Sequence, residues 1–456
     1  MPRPALIDRL LRLGGSFSAR FWPAVLFLSY FLFTVVLFAF GPIDYPVTNP
    51  WKLYGFLAVS HVAFLLGYSI VILRGESPRI HTPGKWAPSI PTLVAVSSVL
   101  NIALLIPSTL FMTEGSLDVL SALKNPSAVY LRTSRIAEAT TNPFIYPILM
   151  VAPILFLTVP LTLFFWRRLP LPHRFLGITA IAVIWAAGVM LGRNKGFADL
   201  FLLILVILLA HLARSGSRAR LSRWVAGGIL ALTIFLLFFG QFKAGAAGRM
   251  PRSFTKGYVN AIDGYLDYDN IFLRPLPEQV KPGVGHLSNY LTQGYYGLAL
   301  ALQLEFDWTY GLGNSHFLHK IEERILGGDF AKTNCYPARV EREFGYSMYR
   351  SWHTVYPWWA SDLSFPGTLV AVFLIGGLLA IVWQETLIGE NPFSIAMFAN
   401  ISIMLFYFNA NNQALGFPVQ FSTTMGLLVL WLLTRKRYAG AEQGGSPTRP
   451  APTHLP

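Results

Sequence analysis

From Phe21 to Phe40 the chain runs for 20 residues without a charged side chain. A helix of that length spans about 30 Å of hydrocarbon and satisfies its own backbone hydrogen bonds there. Similar stretches follow at Leu53 to Leu73, interrupted only by His61, and at Ile90 to Met112, which holds Asn101. Pro143 to Trp166 is apolar but carries Pro143, Pro147, Pro153 and Pro160, which predict a kink. Phe175 to Leu191 and Phe197 to Leu212 form a close pair across the turn Gly192-Arg193-Asn194-Lys195-Gly196. Val225 to Phe242 comes next, and after a long gap Gly367 to Gln384, Pro392 to Tyr407 and Phe417 to Leu433. The expected fold is an all-α polytopic membrane protein of about ten transmembrane helices. Composition excludes the main alternative: only 13% of 456 residues are charged and mean hydropathy is +0.48, unlike a soluble multidomain enzyme or a disordered chain.

The net charge of +14 would suggest nucleic acid on a soluble protein. Here it reports threading. With the N-terminus in the cytoplasm, the inside segments hold 18 basic residues against 5 acidic ones, and the outside segments 18 against 16. That asymmetry is the positive-inside pattern. It places both termini in the cytoplasm, with Arg435-Lys436-Arg437 closing the last span and no nucleic-acid partner expected. No small-residue cleavage site follows the first span, so it is expected to stay as an uncleaved anchor. Four regions follow: a seven-span bundle over 1–242, an outside loop over 243–366 between spans seven and eight, a three-span bundle over 367–438 and a disordered tail over 439–456.

No cytoplasmic segment exceeds about 25 residues, and no Gly-rich, Lys-containing phosphate loop occurs. Chemistry is therefore expected on the outer face, from the long loop and a second one at Thr113 to Asn142. Arg193 and Lys195 run against the charge trend in their outside turn. Asp199, four residues after Lys195, can pair with it and anchor a helix hairpin. Alternatively Arg193 binds the diphosphate of a lipid carrier, since a guanidinium fork matches phosphate oxygens. Aromatics crowd the approach to span eight at Tyr346, Tyr349, Trp352, Tyr356, Trp358 and Trp359, as an interfacial belt or as a surface for sugar rings.

Two metal arrangements compete. Asp267-Tyr268-Asp269 has the Asp-x-Asp form that holds a divalent ion against phosphate, and His316 and His319 lie near Glu322 and Glu323. Chance tripeptides and an exposed helix face explain them better, so no metal or other cofactor is expected. Among polar residues inside spans, His61 and Asn101 are expected to hydrogen-bond between helices. Asn400 is a further candidate, and Asn409, Asn411 and Asn412 sit at an external helix end where they can border a groove.

The string from Trp352-His353-Thr354-Val355-Tyr356 to Ser361-Asp362-Leu363-Ser364-Phe365-Pro366-Gly367 enters a span directly. It resembles the signature of bacterial oligosaccharide repeat-unit polymerases (Wzy-type), in which an aromatic-Thr-x-Tyr segment precedes Asp-aromatic-Gly-x-x-Gly. It is also similar to the related O-antigen ligases, which carry a periplasmic His in the corresponding loop. Leu363 replaces the motif's aromatic and Ser364 its first glycine. The resemblance implies a GT-C-like glycosyltransferase architecture in the bacterial inner membrane, with a large periplasmic loop. It implies polymerisation of oligosaccharides linked to undecaprenyl diphosphate, with a chain-length regulator as a further partner. Arg193 would stabilise the leaving diphosphate, His353 would be the base, and Asp362 would orient that imidazole or bind sugar. Lys195, Arg342, Arg350, Trp352, Thr354 and Tyr356 would bind substrate. A ligase would differ only in its acceptor, lipid A core. The non-enzymatic rival, a transporter or flippase, is expected to show ionisable residues at mid-span, where only His61 lies.

Overall fold

The computed structural model describes residues 17–74, 88–192, 195–214, 258–259, 264–278, 280–388 and 391–434. Arg193, the stretch Val225 to Phe242, the basic residues Arg249, Arg252 and Lys256, and the tail 439–456 lie outside the described residues. The chain is an all-α, multi-pass membrane protein. Its only strands among the described residues form a two-residue antiparallel ribbon, β1 (Tyr258–Val259) and β2 (Gly264–Tyr265).

Among the described residues six helical segments are long and apolar enough to cross a bilayer. Three are α1 (Phe17–Phe40), α2 (Pro50–Leu73) and α3 (Ile90–Met112). After two short helices, α4 (Val119–Lys124) and α5 (Pro126–Ala139), the fourth segment is broken into α6 (Ile145–Phe156) and α7 (Thr158–Phe164). α8 (Leu171–Met190) is the fifth, followed by the 20-residue α9 (Lys195–Arg214). The interposed region contributes α10 (Lys281–Ala301), α11 (His316–Ile321), α12 (Phe330–Asn334) and α13 (Tyr336–Phe344). The sixth is α14 (Val355–Ile388), and the shorter apolar helices α15 (Pro392–Phe406) and α16 (Pro418–Thr434) complete the chain.

The expected kink is present, and its loose ends are tied. Pro153 has no N–H for the Leu149 carbonyl, which instead accepts from Ser422 Oγ of α16 at 2.5 Å. Across the break at Leu157, Asn101 Nδ2 of α3 donates to Leu155 O at 2.9 Å and Thr158 Oγ1 at 2.8 Å. Asn101 thus makes the interhelical bonds expected of it. His61 instead stacks on Phe31, ring centroids 5.5 Å apart. Asn400 donates to Thr424 Oγ1, joining α15 to α16.

α2 and α14 form the closest helix pair because glycines let the backbones touch. A Cβ at Gly67 would lie 1.9 Å from Phe373 O, and one at Gly376 2.2 Å from Phe64 O. Between α9 and α14 in sequence, α10 is not a solvated loop helix. It packs on α1, where Tyr295 Oη meets Thr34 Oγ1 at 2.8 Å, and beside it Tyr45 Oη donates to Asn289 Oδ1 at 3.1 Å.

α14 begins twelve residues before the expected Gly367, so the string that ends at Gly367 is largely helical. The helix is interrupted at Ser364, with φ 60° and ψ 168°. That backbone region belongs essentially to glycine, and a side chain there costs about 1–3 kcal/mol. Ser364→Gly is therefore expected to stabilise the protein by about 1 kcal/mol, net of the entropy glycine adds to the unfolded chain. Thermal unfolding in detergent checks this; a lower melting temperature would show that the Ser364 hydroxyl outweighs the strain.

Candidate functional site

One end of the bundle gathers the starts of α14 and α16 and the end of α15. There a cavity of about 370 Å³ opens between the 348–358 segment, α11 and the 411–418 turn. Among the described residues its cations are Lys320 and Arg350, and no described carboxylate lines it. Both side chains are exposed, and neither makes an ion pair or hydrogen bond with another described residue. Lys320 follows His316 by four residues, so α11 turns both onto one face. The α11 N-terminus is fixed by Ser315, whose Oγ accepts from Phe317 N at 3.1 Å and donates to Leu415 O. The apolar wall is aromatic. His316 stacks on Tyr349 at 5.3 Å and meets the Trp358 ring edge-on at 4.5 Å.

The sequence candidates divide clearly. Arg350, Trp352 and His353 line the cavity, as do Asn411 and Asn412. His353 is 2% exposed, with Nε2 3.4 Å from Ser347 O. Its Nδ1 is packed against α10, 2.9 Å from where a Gly297 Cβ would stand. Burial pushes its pKa down to about 4, so the imidazole is neutral at pH 7 and a weak base. The histidine expected as the base is thus buried and neutral at pH 7. Burial likewise lowers His316 to about 3 and His319 to about 4.

Protonating His353 favours unfolding, because its folded pKa lies below its unfolded value of about 6.5. Its stabilising contribution is complete above pH 6.5 and is lost as the pH falls toward 4, a difference of about 3 kcal/mol. His353→Gln, which keeps a donor for Ser347, is expected to flatten the fall in melting temperature between pH 7 and pH 4.5. An unchanged slope would contradict this burial.

Asp362 does not reach the imidazole. Its Oδ1 accepts from Thr309 Oγ1 at 2.5 Å, Gly311 N at 2.9 Å and Gly313 N at 3.2 Å, and its Oδ2 from Asn314 Nδ2 at 2.7 Å. The carboxylate latches the 309–314 loop that leads into α11. Tyr356 is buried against α2, its hydroxyl accepting from Ser60 Oγ at 3.0 Å. Thr354 is buried beside it and does not line the cavity. Arg342 is exposed on α13 and pairs with the adjacent Glu343 at 3.3 Å. None of these three lines the cavity.

Lys195 pairs with Asp199 as expected, and Asp199 also accepts from Tyr407 Oη at 3.0 Å. Tyr290 sits near this pair and packs edge-on to Trp352 at 5.1 Å. Lys195 does not line the cavity. Asn409 is a staple and not a groove residue: it donates to Leu291 O and accepts from Tyr30 Oη at 3.2 Å.

The metal arrangements dissolve into local structure. Asp267 Oδ1 accepts from Asp269 N at 2.9 Å in an Asx turn. Glu322 caps α12 through Ala331 N, and Glu323 pairs with Lys332 at 2.5 Å. Among the described residues no three His, Cys, Asp or Glu side chains gather as metal ligands. Lys320 was not legible as a site residue, because its i, i+4 spacing from His316 carries meaning only once α11 is known to form a cavity wall.

No protein-family model, curated protein or solved structure matches the chain.

Proposed function

We propose that the protein is a polysaccharide polymerase of the bacterial inner membrane, joining oligosaccharide repeats carried on undecaprenyl diphosphate. The observation that carries this reading is the pairing of Lys320 and Arg350 in an aromatic cavity that no described carboxylate lines, at a helix-bundle mouth. Two cations in one cavity suit a diphosphate, and aromatic faces suit sugar rings. Positive-inside threading supports placing this mouth on the periplasmic face, in a chain of ten spans with cytoplasmic termini. The string resembling the polymerase signature borders the same cavity.

In the reaction the anomeric carbon–oxygen bond to the diphosphate breaks, and the acceptor sugar's hydroxyl oxygen bonds to that carbon and releases its proton to water. Negative charge grows on the departing diphosphate, where Lys320 and Arg350 lower the barrier electrostatically. The cavity also orients donor and acceptor, which supplies the remaining advantage without a metal. Arg193, two residues before Lys195 in sequence, is assigned to the lipid-proximal phosphate. A chain-length regulator is the expected protein partner, and the bilayer presents both lipid-linked substrates.

A deletion strain is expected to accumulate single lipid-linked repeats and lose long polymer, with restoration by the intact gene. Arg193→Ala is expected to restore less than about one tenth of the polymer, on the scale of losing one charge-stabilising donor. Full-length polymer from that variant would remove Arg193 from the site.

A further inference from the structure

The cavity has a second chemical character beside its cations. Asn411 and Asn412 are 8% and 3% exposed, both line the cavity, and the Oδ1 atom of each is buried without a hydrogen-bond partner among the described residues. The orientation of Asn412 is fixed, because its Nδ2 donates to Asn314 O and so leaves Oδ1 as the free acceptor. His316 Nδ1 is likewise buried without a partner in the same wall. Buried acceptors left unpaired cost about 1–3 kcal/mol each, so such a concentration marks where donors are to be supplied. Tyr349, stacked on His316, presents a ring that is 63% exposed to the same cavity. Amide carbonyls and an aromatic face in one cavity, together with two cations, are complementary to a sugar attached to a diphosphate.

We infer that Asn411 and Asn412 form a subsite for the sugar that carries the diphosphate, accepting hydrogen bonds from its hydroxyl or acetamido N–H groups. The inference rests on the diphosphate reading of Lys320 and Arg350, and it narrows the substrate to one whose diphosphate-linked sugar offers such donors toward these two side chains. Sugar and diphosphate are then read by separate residues. Removing the amides weakens binding of the glycosylated compound while leaving the bare diphosphate untouched.

Binding to the purified full-length protein in detergent tests this with three probes: citronellyl diphosphate, citronellyl diphospho-glucose and citronellyl diphospho-N-acetylglucosamine. Wild type is expected to bind one or both sugar-bearing probes about tenfold more tightly than citronellyl diphosphate, the equivalent of one added hydrogen bond. The glucose and N-acetylglucosamine arms distinguish a hydroxyl donor from an acetamido donor. In Asn411→Leu, which replaces a side chain that makes no hydrogen bond to another described residue, the sugar-dependent gain is expected to disappear while citronellyl diphosphate binds as in wild type; in Asn412→Ala, which also frees the Asn314 carbonyl before α11, the gain is expected to disappear as well. That unchanged binding also reports an intact fold. Equal affinity for all three probes in wild type, as when water alone satisfies these amides, overturns the inference, as does a gain that survives both substitutions. Citronellyl diphosphate binding that is absent, or unaffected by Lys320→Ala with Arg350→Ala, fails the diphosphate reading itself and so takes this subsite with it.

Discussion

Replacing Lys320 and Arg350 together with alanine is expected to lower polymer formation by at least about 1000-fold, and each alone by about 10- to 100-fold. Losing a single preorganised charge-stabilising donor in an active site costs about 100- to 1000-fold. Here two such groups face one cavity that no described carboxylate lines. Neither side chain is bonded to another described residue, so melting temperature should change little while turnover collapses. A double variant that polymerises at the wild-type rate would mean that the cavity does not hold the leaving group. Arg350→Lys is expected to retain part of the activity, since charge survives while the bidentate fork is lost.

Asp362→Ala is the second large effect, and its signature is different. The substitution strips the shared acceptor from Thr309 Oγ1, Gly311 N, Gly313 N and Asn314 Nδ2. Bonds to a charged acceptor contribute about 1.5–3 kcal/mol each when formed, and water regains part of that at this half-buried site. A net loss of about 3 kcal/mol is expected, together with displacement of α11 and the Lys320 it carries. Melting temperature and activity should therefore fall together. Asp362→Asn keeps an acceptor for the two glycine amides but turns an NH2 toward Asn314, so it should lie between wild type and Asp362→Ala in both measurements. Loss of turnover at an unchanged melting temperature would instead mark Asp362 as a group that touches substrate.

Which parts of this molecule could be read from its sequence follows from what each segment packs against. Ile90–Met112 lies where its apolar run predicts, because a lipid-facing helix needs only length and hydropathy. The Pro143 to Trp166 kink was also legible, since a missing proline N–H is a local fact; its repair by Ser422 and Asn101 from other helices was not. α10 reads as polar loop because Asn289, Thr292 and Gln293 interrupt it, yet its partners Tyr45 and Thr34 lie about 250 residues earlier in the chain. The same limit applies to the site. Arg350, Trp352 and His353 are visible as a local aromatic and basic cluster. Asn411 and Asn412 are suggested by their place at a helix end, whereas Lys320 gains its role only through the latch between Asp362 and the loop before α11. At His353 the ordinary histidine pKa suggests a base, whereas burial against Gly297 lowers that pKa, a property that only the fold reveals.

The most direct measurement uses the purified protein in liposomes, supplied with one defined oligosaccharide on undecaprenyl diphosphate in the presence of EDTA. A ladder of products, each longer by one repeat, with release of one undecaprenyl diphosphate per bond formed, is the predicted result. Recovery of the lipid-linked oligosaccharide unchanged, or its passage intact across the bilayer, would contradict the account.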